Sequence, residues 1–158
     1  MKFLDSIREG VAKAEASDRH VKEVAMLFKE LNLELSSYEG AGLRIVRRIS
    51  TIAKIAEVSS YISDGKVVNE YFAADRLVLA DADGKRSFAE IAKWRQHING
   101  FPCIISFEGQ DFICDNIDDL KSAIQELLST VSFGKSLSKA ITEIRASPGE
   151  SPALGNNE

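Results

Sequence analysis

Residues 101–115, FPCIISFEGQDFICD, decide the fold. They read as a β-hairpin turning at Glu108-Gly109. Pairing residues 107 with 110, 105 with 112 and 103 with 114 places Cys103, Ile105, Phe107, Phe112 and Cys114 on one face of the pleat. That apolar face needs cover. The neighbouring segments, Ser87 to Ile98 and Asn116 to Val131, both carry apolar residues at three-and-four spacing and are expected to be the helices that supply it.

Downstream, Asp115 or Asn116 caps a helix expected over 116–131. Its stripe is Ile117, Leu120, Ile124, Leu127, Leu128 and Val131, and Asp118 and Asp119 complement the N-terminal dipole. Gly134 is expected to break it before a last helix over 134–145, with Leu137, Ala140, Ile141 and Ile144 inward. Residues 146–158, ASPGESPALGNNE, are poor in apolar side chains and read as a disordered tail after a single domain over 1–145.

Upstream, Ser87-Phe88-Ala89-Glu90 has the capping-box pattern, so a helix is expected over 87–98, with Phe88, Ile91, Trp94 and Ile98 on one side. Asn99-Gly100 followed by Pro102 is expected to end it. Further back, Leu77, Val78 and Leu79 make a short strand closed by Asp83-Gly84, and Asp64-Gly65 signals another hairpin. Residues 43–57 suit either helix or strand, and the β-branched side chains favour strand for 43–50. Glu39-Gly40-Ala41-Gly42 turns the chain, and Leu31, Leu33 and Leu35 alternate as in a half-buried strand. A helix over 19–31 carries Val21, Val24, Phe28 and Leu31, with Ser17 and Asp18 as its start. A separate helix over 2–15 has Phe3, Leu4, Ile7, Val11 and Ala14 near one side and is weakened by Gly10. The sum is an α+β fold: an antiparallel sheet, meander plus hairpin 102–114, flanked by helices near 19–31, 87–98, 116–131 and 134–145.

Composition bounds the function. The 158 residues carry 44 % hydrophobic and 28 % charged side chains, as in a globular protein, and 20 basic against 24 acidic residues give a formal charge of −4. That balance disfavours a dominant nucleic-acid or anionic-membrane role. No apolar run is long enough to cross a bilayer, and charges interrupt the first residues where a signal peptide needs an apolar stretch, so a cytoplasmic location is expected. Two cysteines make neither a disulfide framework nor a four-ligand metal site. No cofactor or metal is expected.

The chemistry-bearing candidates are few. The hairpin register sets Cys103 across from Cys114, within disulfide reach, although two thiols filling space under helices is the preferred reading. Gly134-Lys135-Ser136 ends like a phosphate loop, but Ser129 stands where that loop needs its first glycine, so a helix break with Ser136 as N-cap is preferred. Asp81-Ala82-Asp83-Gly84 opens like a calcium loop, but its glycine falls early and Ala92 stands at the twelfth position, so it reads as a turn. Arg44, Arg47, Arg48 and Lys54 are the basic concentration, along one face if helical and divided between faces if strand. Trp94 and His97, three apart, complete the candidate binding residues Arg44, Arg47, Arg48, Trp94 and His97. No catalytic constellation stands out.

In size, charge and element order the chain resembles the small acidic chaperones of bacterial protein-secretion systems, and equally the small acidic immunity proteins that bind a toxin. The resemblance is one of layout and carries no residues across. With the acidic balance and the lack of a catalytic constellation, it implies a non-enzymatic protein-binding module with a protein partner. The helix over 19–31 is expected to pack on the domain's own sheet, with a homodimer seam as the alternative. The alternatives are a small enzyme or ligand-binding protein with a pocket near Cys103, Trp94 and His97, and a nucleic-acid regulator acting through the arginines.

Overall fold

A computed structural model describes residues 2–50 and 70–146. Within them the chain runs α1 (Phe3–Ser37), a short 3-10 turn (Tyr38–Gly40), β1 (Arg44–Arg48), β2 (Arg76–Ala80), β3 (Ser87–Gln96), β4 (Cys103–Phe107), β5 (Gln110–Cys114), α2 (Ile117–Leu128) and α3 (Val131–Ala146). The five strands form one antiparallel sheet in sequence order. The architecture is α+β. The hairpin expected at Asp64-Gly65, the second half of the ambiguous 43–57 stretch and the tail after Ala146 lie outside the described residues.

The hairpin has the register its sequence implies. Cys103 stands opposite Cys114, Ile105 opposite Phe112 and Phe107 opposite Gln110. Glu108 and Gly109 both take positive φ, at 50° and 76°, the two-residue turn whose twist matches that of the strands. Phe107 and Phe112 stack diagonally across the pair with centroids 4.8 Å apart.

The cover differs from expectation. Residues 87–98 are not a helix: Ser87–Gln96 is the long central strand β3, and Ser87 caps nothing. Two register shifts explain the misleading spacing. Leu77 pairs with Ala92 but Val78 with Glu90, which leaves Ile91 bulged; Leu79 pairs with Ala89 but Ala80 with Ser87, which leaves Phe88 bulged. Both bulged side chains pack against the core, so inward residues fall at 88, 91, 92, 94 and 96 and imitate a helical period. Glu90, the supposed capping partner, faces Arg76 at 3.5 Å.

A single helix replaces the two helices and the strand expected before residue 38. α1 runs unbroken through Gly10, Ser17 and Asp18, and the leucines at 31, 33 and 35 lie on it. Leu35 is buried and Leu33 is exposed, so the inward set is Val24, Phe28, Leu31 and Leu35 at helical spacing. Asn32 explains part of that placement: its amide accepts from the Ile45 backbone N–H at 2.7 Å and donates to the Ile45 carbonyl at 3.0 Å, closing the outer edge of β1. The helix then ends in the turn at Glu39-Gly40, and Arg145 of α3 ties that turn down through Glu39 at 2.9 Å.

α2 is capped as expected, the Asn116 side chain accepting from the Asp119 N–H. α3 corrects another expectation, because it starts at Val131 and passes through Gly134 and Ser136, so Ser136 is no N-cap and the Gly-Lys-Ser tripeptide forms no loop. One core joins Val24 and Phe28 of α1, Leu120 and Ile124 of α2 and Ala140 and Ile141 of α3 to Ile45, Leu77, Leu79, Trp94 and Ile105 of the sheet. The helices therefore form one layer on one sheet face.

Candidate functional site

The basic residues of β1 divide by strand parity. Arg47 points to the helix-covered face with Ile45, whereas Arg44 and Arg48 point to the other face. Arg47 lies over the Phe28 ring, 4.7 Å from its centroid, and donates to Gln96 Oε1 at 3.2 Å. Burial holds its guanidinium below the usual value, with the Cys103 thiolate acting in the opposite sense. Gln96, the one buried polar side chain among the described residues, reaches on to the Gly100 carbonyl at 3.5 Å. On the other face Arg48 bonds the Gly84 carbonyl in the β2–β3 turn. The Nε atoms of Arg44 and Arg76 are buried with no hydrogen-bond partner among the described residues. The three arginines thus serve separate surroundings.

Trp94 and His97 also part company. Trp94 is 1 % exposed and meets Phe28 edge to face at 5.3 Å, while its indole N–H has no partner among the described residues. His97 follows the end of β3, with its ring edge-on to Tyr71 at 5.5 Å and its Nδ1 accepting from the Asn99 N–H at 3.0 Å. That acceptance leaves the proton on Nε2 in the neutral ring.

Cys103 and Cys114 are free and buried. Burial first, then the neighbouring Cys114, pushes the Cys103 thiol up to about 12 against the lowering effect of Arg47. Burial, then Asp119 and Asp115, pushes Cys114 up to about 11. Both are protonated at neutral pH and poorly suited to nucleophilic attack. The calcium-like stretch is a turn, with the Asp81 carboxylate accepting from the Lys85 and Arg86 N–H groups at 2.9 and 3.2 Å. Among the described residues no group of three or more His, Cys, Asp or Glu stands close enough to hold a metal ion, and no helix is long and apolar enough to cross a membrane.

The surface with the clearest unmet chemistry is elsewhere. Every residue from Phe3 to Glu15 of α1 is exposed, so the first half of this helix overhangs the sheet. Phe3 is 71 % exposed, Leu4 57 %, Ile7 61 % and Val11 53 %. These positions share one side of the helix. Asp5–Arg8 and Glu9–Lys13 ion pairs occupy the polar side. At the base, the Ser17 hydroxyl donates to Asn99 Oδ1 at 3.1 Å and His20 packs edge-on to Phe101 at 5.4 Å. Gly100, at φ 99°, lies so close that a Cβ there would stand 2.4 Å from His20 Cβ and 2.8 Å from the helix backbone.

Compared with known protein families, curated proteins and solved structures, the chain matches none. The site is therefore argued from its own geometry. Sequence reasoning had aligned Phe3, Leu4, Ile7 and Val11 without marking them as a surface. The available signal was an apolar stripe at helical spacing within the first fifteen residues.

Proposed function

We propose that this chain is a non-enzymatic protein-binding module whose contact surface is the overhanging first half of α1. One observation carries the reading: four large apolar side chains, Phe3, Leu4, Ile7 and Val11, stand more than half exposed along a single helix face. Water gains nothing from such a stripe, and removing it from water contributes about 25 cal/mol per Å² of apolar surface covered. Contiguous exposed apolar surface flanked by polar residues is what protein contacts use. An amphipathic helix with anchors at i, i+3/i+4 and i+7/i+8 is a recurrent docking element.

The test is quantitative affinity capture with the full chain and with the Ile7→Glu/Val11→Glu variant. Proteins retained by the parent and lost with the variant support the reading. Equal recovery on both baits, or turnover of a small molecule with no retained protein, contradicts it. The nucleic-acid alternative is tested by gel shift with DNA and RNA, where a salt-sensitive shift abolished by replacing Arg44 and Arg48 would displace the present proposal.

A further inference from the structure

We propose that the overhang is completed by a second copy of this chain: two first halves of α1 pack antiparallel, the tip of each reaching the base of the other. The inference rests on the reading of the overhang as a protein contact surface.

Charge selects the occupant. Residues 2–15 carry Lys2, Arg8 and Lys13 against Asp5, Glu9 and Glu15, so the segment is balanced. A helix that lies on anionic lipid or nucleic acid needs a basic polar face. A balanced segment flanking an apolar stripe instead suits another of the same composition.

Continuity gives the direction. The docked part of α1 begins at the 97–101 loop, where Asn99, Gly100 and Phe101 touch Ser17 and His20, and the overhang extends from there toward the N-terminal end. A helix laid along the whole overhang ends near this loop. The overhang is about 20 Å long at 1.5 Å per residue. Antiparallel overlap over that length keeps the two folded bodies at opposite ends, whereas parallel overlap would bring them to the same end. It also opposes the two helix dipoles. Aligning Ile7 with Val11 of the second copy sets Leu4 against Ala14 and carries Phe3 toward the loop, beside the 44 % exposed Ile98. The two-fold axis then falls near residue 9, next to Gly10. The lack of a side chain at Gly10 eases close approach where the helices cross, which offers a role for a glycine that weakens an exposed helix.

The contact is small. A stable specific interface removes about 800 Å² per partner, and the four partly exposed side chains of the stripe supply only part of that. Association is accordingly weak and concentration-dependent.

Sedimentation velocity of the full chain across the micromolar range tests this. The expected result is a shift toward twice the monomer mass with rising concentration, and at least a tenfold weaker association for Ile7→Glu/Val11→Glu with unchanged circular dichroism and melting. Cysteine variants read the direction under mild oxidation: Ile7→Cys mixed with Val11→Cys gives the mixed crosslink in an antiparallel pair, whereas Phe3→Cys crosslinks to itself only in a parallel one. A chain that stays monomeric at all concentrations, a stripe variant that still dimerises, or efficient Phe3→Cys crosslinking overturns the proposal. If the chain is monomeric yet the stripe variant loses captured proteins, self-pairing falls and the protein-binding reading stands. If it is monomeric and the variant captures the same proteins as the parent, both fall.

Discussion

Val24, Phe28 and Leu35 in the second half of α1 are buried against the sheet, whereas Phe3, Leu4, Ile7 and Val11 in the first half stand in solvent. The two sets share one helical spacing and one continuous helix. Amphipathicity therefore states that a helix has an apolar face and leaves open what meets that face. In the second half the partner is the chain's own sheet, reached through Asn32 at Ile45 and Phe28 at Trp94. In the first half the sheet has ended.

The contrast can be broken first at its buried side. Phe28→Ala removes a ring held between Arg47 and Trp94 and should cost about 3–5 kcal/mol in denaturant unfolding, as large-to-small core changes do. A cost near zero would mean that the second half of α1 is not docked as described. Gly100→Ala comes next, since it places a Cβ against His20 in a backbone region that side chains avoid. A loss of about 1–3 kcal/mol is expected from that conformation, with the overlap adding to it. A neutral result would detach the loop from α1.

The thiols beneath this layer give a pH test. Cys103 and Cys114 lie above the ordinary 9.0, at about 12 and about 11, so each is protonated in the folded chain where the unfolded chain has begun to ionise. The unfolded state then binds fewer protons, and stability should be constant below pH 9.0 and decline as pH rises through about 11 and about 12. Cys103→Ala should flatten that decline in an alkaline unfolding series. At neutral pH a thiol reagent should react slowly with both native cysteines and rapidly with a Val11→Cys variant. Equal rates would erase the distinction between the halves.

The smallest expected effect is at the exposed side. Ile7→Glu/Val11→Glu should change unfolding stability measured at high dilution by no more than about 0.5 kcal/mol, because both side chains are more than half exposed. A large loss would place them in the core instead.

Local patterns made part of this legible. Glu108-Gly109 and the alternation around it gave the hairpin register and the Cys103–Cys114 pairing, and Asn116 with Leu120, Ile124 and Leu127 gave α2. The β-branched residues of 43–50 gave β1. Ser87–Gln96 was illegible because two bulges shift inward residues off the two-residue period, and alanine and glutamate there favour a helix that the sheet overrides. Leu31, Leu33 and Leu35 misled because three residues are too few to separate a period of two from a helix. For the candidate binding residues, only the division of Arg44, Arg47 and Arg48 between faces could be read from parity. The separation of Trp94 from His97 needed β3 to be recognised as a strand. The overhang was hidden for another reason: where the sheet stops under α1 depends on the whole packing arrangement.

The most direct measurement is amide hydrogen exchange along α1 at low and high protein concentration. The account predicts that amides over 20–37 stay protected throughout, while those over 3–15 exchange quickly when dilute and become protected as concentration rises. Equal protection of both halves at every dilution would contradict an uncovered overhang, and fast exchange of residues 3–15 at every concentration would contradict its pairing with a second copy.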